Sequence, residues 1–129
     1  IATARGVASG RSRAGLSGVT RVVLGDLALL HDAGSLLVQE SERNSSRLHV
    51  IVVTDGGGSL FDSLEVAQSA DPASYERVIF TPAEADYESL AKAYGWSYRR
   101  ADNLGSLIEA LADTSPLLLV ECPVERGET

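Results

Sequence analysis

The sequence has 129 residues with 11 basic and 18 acidic side chains, which gives a net charge of −7 with both histidines neutral. This length fits one domain with one core, and 44% hydrophobic with 22% charged residues is ordinary for a globular chain. The acidity disfavours unaided binding to nucleic acid or to an anionic membrane, and the apolar runs are far shorter than a spanning helix needs. The single cysteine, Cys122, excludes an internal disulfide framework and favours a reducing compartment such as the cytoplasm.

The first half of the chain alternates helical and strand patterns. Small residues at close spacing predict a helix over 1–9, and a Gly- and Ser-rich stretch predicts a surface loop over 10–18. A β-branched run predicts a buried strand over 20–24, and a leucine pattern then predicts a helix over 27–39. The clearest strand is the apolar run 49–53.

The second half is harder to interpret at its start. Residues 65–81 fit no single period and receive no assignment beyond a turn at 70–72. Gly95 is the expected C-terminal cap of the helix before it, and Asn103 is the expected N-cap of the next helix. The predicted elements that follow are helices over 83–94 and 104–111 and strands over 97–100 and 117–121.

The alternation of strands and helices predicts the fold class. The strands are uniformly apolar, which is typical of parallel strands covered on both faces. We therefore expect an α/β fold with three α/β/α layers and a mostly parallel sheet. Because the sequence opens at Ile1 within a helical pattern, we interpret residues 1–129 as one domain of a larger protein, truncated at its N-terminus. A complete small domain with trimmed ends is the alternative.

Two predicted strands end in an aspartate. Asp26 follows the first strand, and Asp55 follows the second, 29 positions later. A crossover between parallel strands takes about 30 residues, and ligands of open α/β sheets bind beyond the carboxyl ends of the strands. If the two strands are neighbours, the two carboxylates face one spot and form a like-charge pair, which needs a cation or a shared proton.

The residues around this pair favour a hard divalent cation. Magnesium takes about six oxygen ligands and often shares them with phosphate. Gly56, Gly57 and Gly58 allow a sharp turn, which can bring a carbonyl onto the metal and expose amides to a phosphate. No His or Cys accompanies the acids, which disfavours zinc. The alternative is that each aspartate only caps the helix that follows it.

These motifs carry a family resemblance. Gly25-Asp26, a crossover and Asp55-Gly56-Gly57 resemble the cofactor motif of thiamine diphosphate enzymes. The stretch 25–32, with Leu27 directly after the first aspartate, resembles one branch, the 2-succinyl-5-enolpyruvyl-6-hydroxy-3-cyclohexene-1-carboxylate synthases of menaquinone biosynthesis. The resemblance covers residues 1–65 best. Gly56 departs from it, since that branch usually has Asn there, and Ser59 departs as well.

The resemblance implies a thiamine diphosphate-binding fold and a set of site residues. Its metal ligands for Mg²⁺ or Mn²⁺ would be Asp26, Asp55 and the carbonyl of Gly57. Leu60, Phe61 and Leu64 would line the pocket of the cofactor, although plain helix core explains them equally well. Asp62 is interpreted as a helix-start residue. The implied cofactor-binding set is Gly25, Asp26, Leu27, Asp55, Gly56, Gly57, Gly58, Leu60, Phe61 and Leu64.

The resemblance also implies an activity and partners for the intact enzyme. In that family the C-terminal domain holds magnesium and the diphosphate, and a glutamate of a second subunit activates the cofactor. The enzyme decarboxylates 2-oxoglutarate and adds the succinic semialdehyde unit to isochorismate. No catalytic residue is expected within this chain, so alone it should be inactive. Its expected partners are the rest of the parent enzyme and a second subunit of a homodimer or homotetramer, with no nucleic acid and no membrane.

Two alternatives stay open. The chain could serve another thiamine diphosphate enzyme, such as an acetohydroxyacid synthase or a 2-oxoacid decarboxylase, although Leu27 and the pair His31-Asp32 argue against this. It could instead be a magnesium-binding signalling module similar to a phospho-receiver domain. Such a module needs a lysine near its last strands, whereas the single lysine, Lys92, lies within a predicted helix.

Overall fold

Four parallel strands form the centre of the structure, a computed structural model that describes residues 1–127. The strands are β1 (Val19–Gly25), β2 (Arg47–Thr54), β3 (Ser97–Arg100) and β4 (Leu117–Pro123). Their order across the sheet is β1-β2-β4-β3, and all three neighbouring pairs are parallel. The predicted strands and the parallel sheet are therefore confirmed.

Helices of uneven length connect the strands. Several are single turns, and one is a π-helical turn, Glu76–Phe80, which we call the Phe80 turn. Short 3₁₀ turns occupy Ala33–Leu36, Glu40–Glu42 and Ser59–Ser63. The α-helices are α1 (Ala2–Arg13), α2 (Asp26–His31), α3 (Glu65–Ser69), α4 (Pro72–Tyr75), α5 (Tyr87–Ala93) and α6 (Leu104–Leu111).

The sheet has a separate apolar core on each face, because side chains alternate along a strand. On one face Leu48, Val50 and Val52 of β2 pack with buried residues of α1, α2 and α5. On the other face Ile51 packs with residues of β4 and with Ala110 of α6. This arrangement confirms the three α/β/α layers. Within residues 1–127, no helix combines the length and the apolar composition needed to cross a membrane.

Two predicted helix boundaries in the first half are wrong. Helix α1 continues to Arg13 through part of the predicted loop. It ends next to Gly15, whose positive φ of 72° is typical of a helix C-terminus, whereas Gly10 lies within the helix. The predicted helix over 27–39 stops at His31. Beyond it, Leu36 and Val38 are buried while Leu37 between them is exposed, so the burial there follows a period of two rather than 3.6.

Two boundaries in the second half also differ. Helix α5 begins at Tyr87 rather than at residue 83, because the Asp86 carboxylate accepts a hydrogen bond from the Ser89 amide at 2.9 Å and caps the helix there. The unassigned stretch 65–81 folds into α3, α4 and the Phe80 turn. Such short turns carry too few residues to show a hydrophobic period.

Candidate functional site

The two strand-end aspartates lie at the carboxyl ends of neighbouring strands. β1 pairs directly with β2, with Gly25 opposite Val53. Asp26 Oδ2 accepts a hydrogen bond from the Gly56 amide at 3.0 Å, so its carboxylate reaches the residue next to Asp55. Asp55 in turn accepts hydrogen bonds from the Gly57 amide at 3.2 Å and from the Ser59 hydroxyl. The strands are therefore neighbours, and both acids contact one loop.

Helix capping does not explain these aspartates. Asp26 is the first residue of α2, and Gly25, without a side chain, occupies the N-cap. The other Asp26 oxygen accepts from the adjacent Leu27 amide at 2.7 Å, which is not the bond of an N-cap. Gly58 occupies the N-cap of the turn after Asp55. Neither acid is therefore the N-cap of the element that follows it.

The glycine loop, residues 55–58, is confined by its neighbours. Gly56 has a φ of 89°, which favours glycine. A Cβ on Gly57 would lie 2.6 Å from the Phe80 carbonyl oxygen, and one on Gly58 would lie 2.9 Å from the Ile79 carbonyl oxygen. The Gly58 amide also donates a hydrogen bond to the Phe80 carbonyl. The three glycines are therefore required for two reasons, the turn itself and the close approach of the Phe80 turn.

A cleft of about 610 Å³ opens beside the two aspartates. It includes five of the ten predicted cofactor-binding residues, and Leu27, Gly56, Gly58, Phe61 and Leu64 are not among the residues that line it. The cleft is lined by Gly25, Asp26, Val53, Asp55, Gly57, Ser59, Leu60, Asp62, Ser63 and Gly127.

The apolar residues after the glycine loop are not helix core. They lie in or next to a 3₁₀ turn rather than an α-helix, and Leu60 is 79% exposed, Phe61 41% and Leu64 49%. Leu60 borders the cleft. The core interpretation of these three residues is therefore wrong, and their exposed apolar surface is available to a ligand or to another part of a protein.

The charge balance of the cleft favours a cation. Asp26 is only 2% exposed, and no ion pair of residues 1–127 includes Asp26 or Asp55. A buried carboxylate is normally paired with a cation or with a metal. Within the same residues, no three His, Cys, Asp or Glu side chains cluster to hold a metal by themselves. The donors thus fit a hard ion that takes two carboxylates and completes its shell with backbone, water or phosphate oxygens.

Asp62 lies in the first turn of the 3₁₀ helix, as predicted for a helix-start residue, but its contacts within the cleft were not predicted. It lies within the 3₁₀ turn, where its oxygens accept hydrogen bonds from Arg126 at 2.8 and 3.0 Å and from the Tyr75 hydroxyl at 2.8 Å. The hydrogen bonds from Arg126 and Tyr75 lower the pKa of the Asp62 carboxyl. Arg126 is 64 positions away, so no local pattern could have indicated this pair.

Comparisons with known proteins identify named relatives along almost the whole chain. No protein-family model matches the chain. The 2-succinyl-5-enolpyruvyl-6-hydroxy-3-cyclohexene-1-carboxylate synthase of Clavibacter michiganensis subsp. michiganensis is 52% identical over 127 residues, which are 98% of this chain and 21% of the relative. The protein of the same name from Leifsonia xyli subsp. xyli is 47% identical over 132 residues, which cover 98% of this chain and 22% of the relative. The chain thus spans about a fifth of the length of these curated relatives.

A solved structure has the same fold. Benzoylformate decarboxylase from Polynucleobacter necessarius superposes with a TM-score of 0.74 and 19% identity, over 95% of this chain and 23% of that chain. The fold therefore defines the class, the α/β fold of thiamine diphosphate-binding domains. Within that class, the chain is homologous along almost its whole length to a segment of the 2-succinyl-5-enolpyruvyl-6-hydroxy-3-cyclohexene-1-carboxylate synthases, as its motifs predicted.

Proposed function

We propose that this chain is the C-terminal cofactor domain of such a synthase and holds Mg²⁺ or Mn²⁺ with the diphosphate of thiamine diphosphate. The observation that carries the proposal is the buried Asp26 carboxylate, which contacts the glycine loop and has no cationic side chain beside it within residues 1–127. A divalent ion would supply the missing positive charge and attract the diphosphate. The identity of 52% to a named synthase supports the same assignment.

Each residue of the site would have a distinct part. Asp26 and Asp55 would bind the metal through their carboxylates, and Gly57 would bind it through its carbonyl. The amides of the glycine loop and of Leu27 already donate to Asp26, Asp55 and the Phe80 carbonyl, so they would hold the two acids and the loop in place. Leu60 would give the cleft an apolar wall. Phe61 and Leu64, which are exposed next to the cleft, would extend that wall once another domain covers them.

The intact enzyme would need residues beyond this chain. When bound, thiamine diphosphate supplies the chemistry that decarboxylates 2-oxoglutarate and transfers the succinic semialdehyde unit to isochorismate, a transferase reaction of menaquinone biosynthesis. In this proposal the activating glutamate comes from a second subunit of a homodimer or homotetramer. The isolated segment would then be inactive, and the intact enzyme would work in the cytoplasm.

Binding measurements test the metal assignment. In the full-length polypeptide that contains this chain, Asp26→Asn and Asp55→Asn should each weaken Mg²⁺-dependent binding of thiamine diphosphate roughly 100-fold, equal to about 2.7 kcal/mol. Titration calorimetry at a fixed Mg²⁺ concentration measures this loss. Asp71→Asn is the matched control, because Asp71 caps α4 outside the cleft and asparagine caps equally well. Wild-type affinity in both cleft variants would refute the assignment.

Substrate assays test the reaction. The full-length enzyme should consume 2-oxoglutarate only when isochorismate is present and should not turn over pyruvate. Turnover of pyruvate alone would instead assign the domain to a 2-oxoacid decarboxylase or an acetohydroxyacid synthase.

A further inference from the structure

The chain that follows β4 crosses the carboxyl edge of the sheet next to the cleft. The Val124 amide donates a hydrogen bond to the Thr54 carbonyl at 2.9 Å, so this tail is fixed at the residue that precedes Asp55. Gly127 borders the cleft itself. The position of residues 124–127 is therefore tied to the end of β2 and to the site.

Arg126 joins three groups at this place. Its Nε and Nη2 donate to the two oxygens of Asp62 at 2.8 and 3.0 Å, a bidentate pair. Its Nη1 donates to both oxygens of Glu76, at 3.1 and 2.9 Å. The guanidinium carbon lies 3.7 Å from the centre of the Phe80 ring. One planar side chain thus connects the tail, the cleft wall and the Phe80 turn.

The Phe80 turn in turn supports the glycine loop. The Phe80 carbonyl accepts the Gly58 amide, and the Phe80 ring carbons lie 2.8 and 2.9 Å from the position that a Cβ of Gly57 would take. There is no free space between the two segments. A shift of Phe80 would therefore move the backbone of Gly57 and Gly58.

From these contacts we propose that Arg126 is a positioning residue, which holds Asp62 and the Phe80 turn in place and so sets the glycine loop for the metal and the diphosphate. This inference rests on the proposed function. Arg126 also balances the charge of Asp62 on the cleft wall, where Asp26 and Asp55 already supply two carboxylates. Without it, a further unbalanced carboxylate would face the anionic diphosphate.

The geometry is more specific than that of an ordinary surface ion pair. An isolated exposed pair contributes little, because water screens it and two side chains lose freedom. Arg126 makes four hydrogen bonds to two carboxylates and stacks on an aromatic ring, so its planar group is held from three sides. A lysine could supply the charge, but neither the bidentate pair nor the planar stacking.

The test combines binding with hydrogen exchange in the full-length polypeptide. Arg126→Ala should weaken Mg²⁺-dependent binding of thiamine diphosphate by roughly 10- to 100-fold, which is the usual cost of losing a group that orients ligands. Arg126→Lys should weaken this binding less than Arg126→Ala does. In the cofactor-free protein, Arg126→Ala should speed amide exchange in segments 56–63 and 76–81 but not in 48–53. Arg77→Ala is the control, since Arg77 lies in the same turn and forms no ion pair with any residue of 1–127.

The outcomes separate this inference from the proposed function. If Asp55→Asn loses the cofactor while Arg126→Ala binds it as the wild type does, the positioning role is refuted and the metal assignment stands. Equal losses of cofactor affinity in Arg126→Ala and Arg77→Ala would also refute the positioning role. If Arg126→Ala does not fold, Glu76→Gln is the second variant, because it removes the charge of the Arg126–Glu76 ion pair outside the cleft. It should speed amide exchange in the same two segments. No change in Glu76→Gln would contradict the proposal.

Discussion

Two buried acids of the sheet region differ in whether a cationic side chain accompanies them. Glu121 of β4 is 8% exposed and accepts hydrogen bonds from Arg100 Nη1 at 2.8 Å and from the Tyr98 hydroxyl at 2.5 Å. Asp26, after β1, is more deeply buried, and within residues 1–127 it accepts only from the backbone amides of Leu27 and Gly56. Burial alone therefore does not identify a metal ligand; the absence of a cationic side chain near the carboxylate is the more informative feature.

The Glu121 cluster is complete within the chain. Arg100 also pairs with Asp102 at 2.8 Å, and desolvation together with the bond to Glu121 raises the pKa of Tyr98. The phenol thus stays protonated and keeps donating its hydrogen bond. This cluster fixes β3 against β4 and needs no ligand, whereas the Asp26 site depends on the backbone of the glycine loop.

That dependence predicts the largest combined effect on cofactor binding and on stability. Gly57→Ala should weaken Mg²⁺-dependent cofactor binding by at least about tenfold and lower the free energy of unfolding by about 1–3 kcal/mol, because its Cβ would overlap Phe80. Gly34→Ala is the control, since nothing lies within 4 Å of its Cβ position. Cofactor titration and urea unfolding measure the two quantities. Wild-type binding in Gly57→Ala would show that the close packing of this loop is irrelevant to the site.

An intermediate effect is expected at Glu121, the buried acid that is paired with an arginine. Glu121→Gln should lower the free energy of unfolding by about 1 kcal/mol, since it weakens a charge-assisted pair whose arginine is half exposed. It should leave cofactor affinity unchanged. Asp26→Asn should show the reverse emphasis, with a larger loss of affinity than of stability. It removes a buried carboxylate without a cationic partner, and only one of the two backbone amides loses its acceptor. Glu109→Gln, on the exposed side of α6, is the control for charge alone. Loss of cofactor affinity in Glu121→Gln would remove the distinction between the two acids.

The smallest effect concerns pH. Arg126 and Tyr75 lower the pKa of Asp62 below 3.8, its ordinary value. A carboxyl with a lowered folded-state pKa contributes stability above the unfolded-state pKa and loses it as the pH falls through the folded-state value. The difference in Tm between wild type and Asp62→Asn should thus be constant at neutral pH and shrink below pH 3.8. When the same Asp62→Asn substitution is made in an Arg126→Ala background, the difference in Tm at neutral pH should be smaller. An unchanged difference would contradict the pairing of Asp62 with Arg126.

Much of the candidate site could be predicted because its signals are local. The apolar runs before Asp26 and Asp55, and the length of chain between them, were enough to expect two neighbouring parallel strands. The observed pairing of β1 with β2 confirms that expectation. The assignment of the two acids as metal ligands stays a prediction until binding is measured.

The flank of the site could not be predicted in the same way. Leu60, Phe61 and Leu64 have helical spacing, yet they lie at a 3₁₀ turn and are exposed. Residues 65–81 gave no period because α3, α4 and the Phe80 turn are each about one turn long. The Phe80 turn contacts the glycine loop and Arg126, which are distant from it in sequence.

By itself the sequence determined the parallel α/β sheet, its strands and the placement of two acids at strand ends, since hydrophobic runs and crossover length act over short distances along the chain. Only the tertiary structure decided which buried acid lacks a cation, where the cleft opens and that Arg126 joins Asp62 to the Phe80 turn. Charge compensation and close packing depend on side chains brought together from far apart in the sequence, and no local pattern encodes those pairings.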